Sequence, residues 1–306
     1  MPSYPAIETD RLRKVFGERA AVKGLTLQVQ QGEVFGFLGP NGAGKTTSIK
    51  MLLSLIEPTA GTARLLGAPL GDRSVRARIG FLPEHFRFQE WLTAGEFLEL
   101  HGQLYGMKPA RIKEQSAALL ERVGLDEFRD KQLRTFSKGM LQRIGLAQAL
   151  LSQPALVFLD EPTSGLDPVG RRLVRDIIHE LRREGTCVFL NSHLLSEIEV
   201  TCDRVAIIRS GEVIRLIEMA ALDSGRATVR IRGRGITPEI CSGLENWGQA
   251  IRADGELVSL NVQSEESLPE ITRFLVERGV QVYQITPERL SLEELFIETV
   301  GKDAGL

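Results

Sequence analysis

The residues that could do chemistry begin with a glycine-rich segment that ends in one lysine and two threonines. It stands between an apolar run at 34–38 and a helix-like stretch at 48–56. Its residues are Gly39, Pro40, Asn41, Gly42, Ala43, Gly44, Lys45, Thr46 and Thr47. In such a loop the backbone N–H groups converge on an anion, the lysine reaches the β- and γ-phosphates, and the first threonine hydroxyl holds Mg²⁺. The segment predicts a site for a nucleoside triphosphate and magnesium.

Two adjacent carboxylates, Asp160 and Glu161, follow a second apolar run at 155–159. If this run and the run before the phosphate loop are strands of one parallel sheet, the carboxylates lie beside the loop. We expect Asp160 to hold Mg²⁺ through water and Glu161 to polarise the attacking water as general base. A pair of helix-capping acids at a strand end is the alternative for either residue alone. Together with the loop, the pair predicts transfer of a phosphoryl group to water.

The elements that position these residues alternate in type over the first two thirds of the chain. Short β-rich runs and longer helix-like segments predict an α/β domain with a largely parallel sheet. We expect strands at 63–66, 78–82, 155–159 and 186–190, helices at 93–105, 109–123 and 137–153, and a hairpin at 209–212.

The pattern changes after about residue 220, which predicts a second domain at 221–306. Its order of strand, helix, two strands, helix and strand, with a final helix from 292, resembles a small α+β ferredoxin-like unit. Two of its helices carry sequences typical of capping boxes, Ser267 with Glu270 and Ser291 with Glu294. The sequence does not indicate what this domain binds.

Composition excludes several classes of protein. The chain has 306 residues and a formal net charge of −2, which argues against a protein that coats nucleic acid. No apolar run approaches the roughly 18 residues that span a bilayer, and the first residues lack the basic and apolar regions of a signal peptide. We therefore expect a cytoplasmic location. The three cysteines, Cys187, Cys202 and Cys241, are expected to be free thiols, with no metal ligation.

Three further motifs give the chain a specific resemblance. Phe136-Ser137-Lys138-Gly139-Met140 precedes the carboxylate pair, Ser164-Gly165-Leu166-Asp167 follows it, and Asn191-Ser192-His193 ends the next predicted strand. With the phosphate loop and the carboxylates, these segments resemble in order and spacing the five motifs of the ATP-binding-cassette (ABC) ATPases. The resemblance covers about residues 6–220. It implies a P-loop ABC-type nucleotide-binding domain at 1–220, with a helical subdomain at about 84–153.

The resemblance also implies roles for single residues in a site shared by two chains, as a homodimer. Phe16 stands where the family stacks an aromatic ring on adenine, although a core phenylalanine is the alternative. Ser137 and Gly139 would contact the γ-phosphate bound to the opposite subunit. His193 would hydrogen-bond the γ-phosphate and orient the water, and Asp167 would couple the two sites at the subunit interface.

Three positions depart from the family pattern. Glu84 stands where the family has glutamine, so it can ligate Mg²⁺ but cannot donate a hydrogen bond while ionised. Lys138 and Met140 replace the usual glycine and glutamine of the signature. A lysine at a helix N-terminus is unfavourable unless an anion lies nearby, and the opposing triphosphate would be such an anion. Lys138 is therefore expected to contact that ATP from the opposite chain.

A single cassette with a short C-terminal unit resembles the ATP-binding subunits of bacterial exporters for drugs, polysaccharides and lipids. The resemblance implies an ATPase at the cytoplasmic face of the membrane that drives a separate permease by ATP-dependent dimerisation. Its expected permease contacts follow Glu84: Phe86, Phe88, Trp91 and Leu92. Packing within the helical subdomain is the alternative for each of these residues. The alternative function is a soluble ABC-type ATPase with a regulatory or assembly role and no permease. The cargo and its direction of movement are not indicated.

Overall fold

The computed structural model describes residues 4–223, 227–289 and 291–301. These residues form two compact units, one of residues 4–217 with 296–301 and one of residues 218–295. The end of the predicted second domain, 302–306, lies outside the described residues. Among the helices of these described ranges, none combines the length and the apolar character needed to cross a membrane.

The first unit begins with strands and short helices. In chain order these are β1 (Ile7–Phe16), β2 (Arg19–Val29), β3 (Val34–Leu38), α1 (Lys45–Leu52), β4 (Ala60–Leu65), β5 (Ala68–Pro69), α2 (Arg73–Arg76) and β6 (Ile79–Leu82). Three longer helices and further alternating elements follow. They are α3 (Ala94–Leu104), α4 (Pro109–Arg122), α5 (Lys138–Leu150), β7 (Leu156–Asp160), α6 (Pro168–Arg183), β8 (Cys187–Asn191), α7 (Leu195–Thr201), β9 (Arg204–Arg209) and β10 (Glu212–Glu218).

A six-stranded sheet in the order β10-β9-β3-β8-β7-β6 carries the chemical motifs. Its strands from β9 to β6 pair in parallel, and every residue of β3, β7 and β8 is buried. Strands covered on both faces need continuous apolar sequence, which is why these runs lack alternation. Asp160 and Asn191 are register partners at the ends of β7 and β8. The phosphate loop, the carboxylates and the Asn191-Ser192-His193 segment therefore leave the sheet at the same edge.

A second sheet, β2-β1-β4-β5, is antiparallel and shares a core with the first. That core contains Leu12 and Val22 of the antiparallel sheet and Phe35 and Phe189 of the parallel one. Ile49 of α1 belongs to the same core. The phosphate loop is thus built over a close-packed interior.

The boundaries of two predicted helices are wrong. The helix expected at 48–56 is α1, which begins at Lys45, directly after Gly44, and ends at Leu52. Ser54 has φ 55°, a left-handed conformation that cannot continue a right-handed helix. The helix expected at 137–153 ends at Leu150, and Gln153 has φ 52°. By contrast, Thr93 and Glu96 form a complete capping box at the start of α3.

The second unit contains α8 (Met219–Asp223), β11 (Ala227–Arg234), α9 (Pro238–Leu244), β12 (Gly248–Asp254), β13 (Leu257–Val262), α10 (Leu268–Glu277) and β14 (Gln281–Arg289). Its sheet has the order β12-β13-β11-β14 with antiparallel neighbours. The strands and helices follow in the predicted sequence β-α-β-β-α-β. The last helix, α11 (Leu292–Val300), has residues 296–300 in the first unit.

One of the two predicted capping boxes forms. Ser291 and Glu294 exchange both hydrogen bonds, each 3.2 Å long. The prediction for Ser267 and Glu270 is wrong, because Glu270 accepts a 2.9 Å hydrogen bond from Trp247 Nε1 and the Ser267 hydroxyl donates to the Ser264 carbonyl. The indole N–H needs a hydrogen-bond acceptor, and the Glu270 carboxylate that would complete the cap serves as this acceptor.

Candidate functional site

The phosphate loop is fixed from two sides by neighbouring backbone. The Gly211 N–H, in the β9–β10 turn, donates a 2.7 Å hydrogen bond to the Ala43 carbonyl. Gly44 has φ 96°, and a Cβ there would lie 2.6 Å from the Ala21 carbonyl oxygen of β2. A side chain at Gly44 would therefore suffer both backbone strain and a clash. The sequence needs glycine here because strand β2 runs directly behind the loop.

Lys45 lies across the mouth of this loop. Its Nζ donates hydrogen bonds to the carbonyls of Gly39 at 2.6 Å and Pro40 at 3.2 Å. Burial lowers the pKa of Lys45, against the opposite effect of three nearby carboxylates, those of Glu161, Asp160 and Glu84. The ammonium group is thus held where phosphate oxygens would meet it.

Asp160, only 2% exposed, ends strand β7 and accepts a hydrogen bond from Asn191 Nδ2. Burial raises the pKa of Asp160, and the nearby Glu84 carboxylate acts in the same direction, whereas Lys45 and Lys50 oppose it. The Oδ1 atom of Asn191 is buried and has no hydrogen-bond partner among the described residues. A buried acceptor of this kind beside a carboxylate suits a metal-bound water. Together with the Thr46 hydroxyl, these are the oxygen ligands that Mg²⁺ prefers.

Glu161 and His193 are in direct contact. Nδ1 of His193 lies 2.6 Å from Oε2 of Glu161, and the carboxylate residue is only 7% exposed. Burial raises the pKa of Glu161, and the charge and hydrogen bond of His193 lower it. Glu161 also has φ 55°, a left-handed conformation that is uncommon for a residue with a side chain. The predicted general base is thus buried, hydrogen-bonded to an imidazole and in an uncommon backbone conformation.

Gln142 is a site residue to which sequence reasoning gave no role. Its Nε2 donates a 3.2 Å hydrogen bond to the Glu161 carbonyl, so the helix that follows the signature holds the backbone of the base. The signal that could have found it is its place on the first turns of α5, on the segment that already carries Ser137 and Gly139.

A cavity of about 820 Å³ opens over the loop, within the usual size range of small-molecule sites. Its lining includes all residues from Gly39 to Thr47 together with Phe16, Glu84, Glu161 and His193. Phe16 is 52% exposed, so its ring is not a core side chain. The predicted nucleotide residues therefore surround one space, whereas the buried Asp160 does not line it.

The signature segment and Asp167 lie outside this cavity. Ser137 caps α5 by accepting from the Met140 N–H at 3.2 Å, and Asp167 caps α6 by accepting from the Gly170 N–H at 2.7 Å. Ser137, Lys138 and Asp167 are exposed. They do not reach the cavity of their own chain and are open to contact from another molecule.

The four residues expected to meet a permease differ in exposure. The rings of Phe86 and Phe88 have their centroids 4.3 Å apart, and both pack against Phe97 of α3. Leu92 is half-buried, whereas Trp91 is 69% exposed. Packing within the helical subdomain therefore accounts for the two phenylalanines, and Trp91 is the member of the set with a free surface.

Comparison with known proteins agrees with this geometry. A family model described as ABC transporter matches residues 22–164. An uncharacterized ABC transporter ATP-binding protein of Nostoc sp., all4389, is 40% identical over 97% of this chain and 90% of its own length. The chain belongs to the ABC transporter ATP-binding proteins. The predictions of this family and of its P-loop α/β fold are confirmed.

One further relative and one solved structure are similar to this ABC protein over most of their own length. The daunorubicin resistance ATP-binding protein DrrA3 of Streptomyces coeruleorubidus is 36% identical over 97% of this chain and 96% of its own. The ATP-binding cassette MJ0796, solved as a dimer in a post-hydrolysis state with ADP and phosphate, superposes with a TM-score of 0.64 at 24% identity, over 70% of this chain and 98% of that one. The structural likeness shows the cassette fold, and the sequence likeness includes the C-terminal residues.

This ABC protein is an ATPase whose hydrolysis of ATP is coupled to transport. ABC ATP-binding proteins dimerise and work with membrane permeases. The predicted function as the ATP-hydrolysing subunit of a transporter is confirmed over the alternative of an ATPase without a permease.

Proposed function

We propose that this chain is the ATP-binding subunit of an exporter of drug-like compounds, and that two copies act on one membrane permease at the cytoplasmic face of the membrane. The observation that carries the proposal is the similarity to DrrA3, which extends over 97% of this chain. Residues 221–306 are an accessory domain of the cassette at 1–220, because the similarity continues through them.

Within one chain, backbone N–H groups of the phosphate loop and Lys45 bind the triphosphate, and Phe16 stacks on the adenine ring. Thr46, Glu84 and Asp160 hold Mg²⁺, directly or through water. When bound, the metal neutralises phosphate charge as it develops in the transition state. Glu161 takes a proton from the attacking water, and His193 orients both the carboxylate and the water.

The second chain supplies the rest of the site. The trans contacts to ATP are Ser137, Lys138, Gly139 and Asp167. None of them lines the cavity of its own chain, and all but the half-buried Gly139 are exposed, which supports this role. Lys138 is an exposed cation at the N-terminus of α5, where the helix dipole disfavours it. A triphosphate presented by the other subunit compensates this unfavourable placement.

Trp91 is the main contact to the permease, with Leu92 beside it. A tryptophan that is 69% exposed is a typical interface anchor. Phe86 and Phe88 contribute less to this contact, because their rings pack against Phe97 of α3. Glu84, which lines the nucleotide cavity, lies only a few residues before Trp91 in the chain. A conformational change of the Glu84 loop on ATP binding or hydrolysis would therefore be transmitted to the permease through this short segment.

The test uses a Glu161→Gln variant, which binds ATP but is stalled before hydrolysis. It is purified with an affinity tag from detergent-solubilised native membranes with Mg-ATP, and co-purifying proteins are identified by mass spectrometry. A polytopic membrane protein in stoichiometric amount supports the proposal. Recovery only in the soluble fraction, with no membrane protein attached, overturns the proposal. A Lys45→Ala variant is the control. It is expected to bind ATP poorly, so a permease that is captured only by the ATP-bound protein should not co-purify with it.

A further inference from the structure

Part of the lining of the nucleotide cavity comes from residues outside the five motifs, and one of these residues lies near the end of the chain. Phe296 of α11 lines the cavity, although it lies about 280 residues after Phe16 in the chain. It is 3% exposed and belongs to the same compact unit as the phosphate loop. Its aromatic side chain adds apolar surface to a cavity whose lining also includes loop backbone, the carboxylates of Glu84 and Glu161, and His193.

The position of Phe296 is fixed through strand β10. Nη1 of Arg215 donates hydrogen bonds to Glu298 Oε2 at 3.3 Å and to Thr299 Oγ1 at 3.2 Å, which ties the end of α11 to this edge strand. Val213 is two residues before Arg215 and therefore lies on the same face of β10. Val213 packs against the core that contains Leu12 of β1. The end of α11 is thus held on the face of β10 that looks toward the β1–β2 pair.

The turn at the start of β10 joins the same region to the nucleotide loop. The Ser210 carbonyl accepts a 3.1 Å hydrogen bond from the Lys23 N–H of β2, and the Gly211 N–H donates to Ala43 of the phosphate loop. Ser210 itself lines the cavity, as does Phe16 at the end of β1. Strand β10 therefore connects Phe296 to the part of the cavity where β1 and β2 place the exposed ring of Phe16.

We propose that Phe296 is a nucleotide-binding residue that packs against the nucleoside part of ATP, on a wall separate from the phosphate loop. A benzyl side chain has no hydrogen-bonding group for phosphate oxygens, so the base or ribose is the part of ATP that it stabilises. This inference rests on ATP occupying the cavity. An aromatic contact of this kind contributes about three- to tenfold in affinity.

The test compares two ligands on full-length protein in the Glu161→Gln background. Dissociation constants for Mg-ATP and for Mg-tripolyphosphate are measured by calorimetry in Phe296→Ala, with Ile297→Ala as matched control. Ile297 is the next residue of the same helix, is 38% exposed and does not line the cavity. We expect Phe296→Ala to weaken ATP binding about three- to tenfold and to leave tripolyphosphate binding unchanged. Ile297→Ala is expected to change neither.

Unchanged ATP affinity in Phe296→Ala, or equal weakening for both ligands, overturns the inference. Should the alanine variant unfold, Phe296→Leu fills most of the volume without the ring and is expected to weaken ATP binding by about twofold to fivefold. An unchanged ATP affinity in Phe296→Leu also overturns it. The premise that ATP occupies the cavity fails separately, through absence of ATP binding in the parent protein, and the proposed exporter function is tested by the permease capture described above, which does not depend on Phe296.

Discussion

Nδ1 of His193 lies 2.6 Å from Oε2 of Glu161, so the proposed switch histidine and the proposed general base form one hydrogen-bonded pair in a single chain. The pair joins the ends of two neighbouring parallel strands, β7 and β8. His193 can therefore orient the base before a second subunit is present. In the proposed dimer, the partner subunit would therefore add contacts to the phosphates, while the orientation of Glu161 is already set within its own chain.

The pair predicts a change in the pH dependence of hydrolysis. His193 lowers the pKa of Glu161, so its removal in His193→Ala leaves burial unopposed and raises that pKa further. Because the base acts as the ionised carboxylate, the acidic limb of the residual ATPase profile is expected to move to higher pH. Steady-state kcat against pH measures it. His179→Ala, on α6, is the control. An acidic limb that stays in place or moves to lower pH contradicts the prediction.

Gln142 predicts a positioning effect on the base. Gln142→Ala removes the 3.2 Å hydrogen bond to the Glu161 carbonyl and is expected to lower kcat about five- to tenfold, as the loss of one hydrogen bond of about 1 kcal/mol allows. The dissociation constant for ATP is expected to remain the same. Single-turnover hydrolysis and equilibrium binding separate the two. A purely structural role would instead lower stability in urea while leaving kcat of the folded protein intact. Gln103→Ala, at an exposed position on α3, serves as the control.

Trp91 and Phe88 are expected to give opposite results. Trp91→Ala removes an exposed ring, so transport and permease capture should be lost while the ATPase activity of the isolated subunit persists. Phe88→Ala removes a ring packed on Phe97 and should reduce the free energy of unfolding by roughly 2 to 3 kcal/mol, below the value for a fully buried phenylalanine. Transport assays in membranes and urea unfolding of the soluble protein are the measurements. Full transport in Trp91→Ala would remove this residue from the permease contact.

The turn beneath the phosphate loop predicts a linked loss of stability and ATP affinity. Gly211 has φ 74°, and a Cβ there would overlap the backbone of Val22, whereas Gly185 has φ 84° with open space around it. Gly185→Ala is expected to cost about 1 to 2 kcal/mol of unfolding free energy through backbone strain alone. Gly211→Ala should exceed it and also weaken ATP binding, because the Gly211 N–H bonds to Ala43. Equal effects of the two substitutions on both quantities would show that the overlap is relieved without displacing the loop.

Lys138 predicts a dependence of the dimer on one surface charge. Lys138→Ala in the Glu161→Gln background is expected to weaken Mg-ATP-driven dimerisation, since the cation no longer meets the triphosphate of the other chain. Sedimentation velocity over a range of protein concentrations gives the dimer affinity. Lys131→Ala removes an exposed lysine outside the signature and is the control. An unchanged affinity in Lys138→Ala means that its charge is satisfied within its own chain, near Gly165.

The motif residues and the parallel core strands were predictable from sequence because each depends on a local pattern. The loop from Gly39 to Thr47 carries its own conformational requirements, and the buried strands β3, β7 and β8 are short continuous apolar runs. The family resemblance supplied the role of His193, which a lone histidine would not have indicated.

Other features depend on contacts between distant residues and leave no local signal. Glu270 has the spacing of a capping box with Ser267, but its carboxylate accepts a hydrogen bond from Trp247 Nε1 instead, and Trp247 lies 23 residues earlier in the chain. The helix α1 begins at Lys45 because Gly44 before it has φ 96°, a left-handed conformation, and the apolar pattern of α1 does not reveal this start. Phe296 lines the cavity through tertiary packing alone. The residues of the phosphate loop and the carboxylate pair are therefore recognisable in the sequence, whereas the contribution of Phe296 to the cavity lining is not.

The inclusion of residues 296–301 in the same compact unit as the phosphate loop has a practical consequence for preparing the enzyme. A recombinant fragment cut at about residue 220 would retain all five motifs and still lack Phe296. Michaelis constants and inhibitor potencies measured on such a fragment would describe a different site from that of the full-length enzyme. Biochemical work and compound screening on this ATPase should therefore use the intact polypeptide.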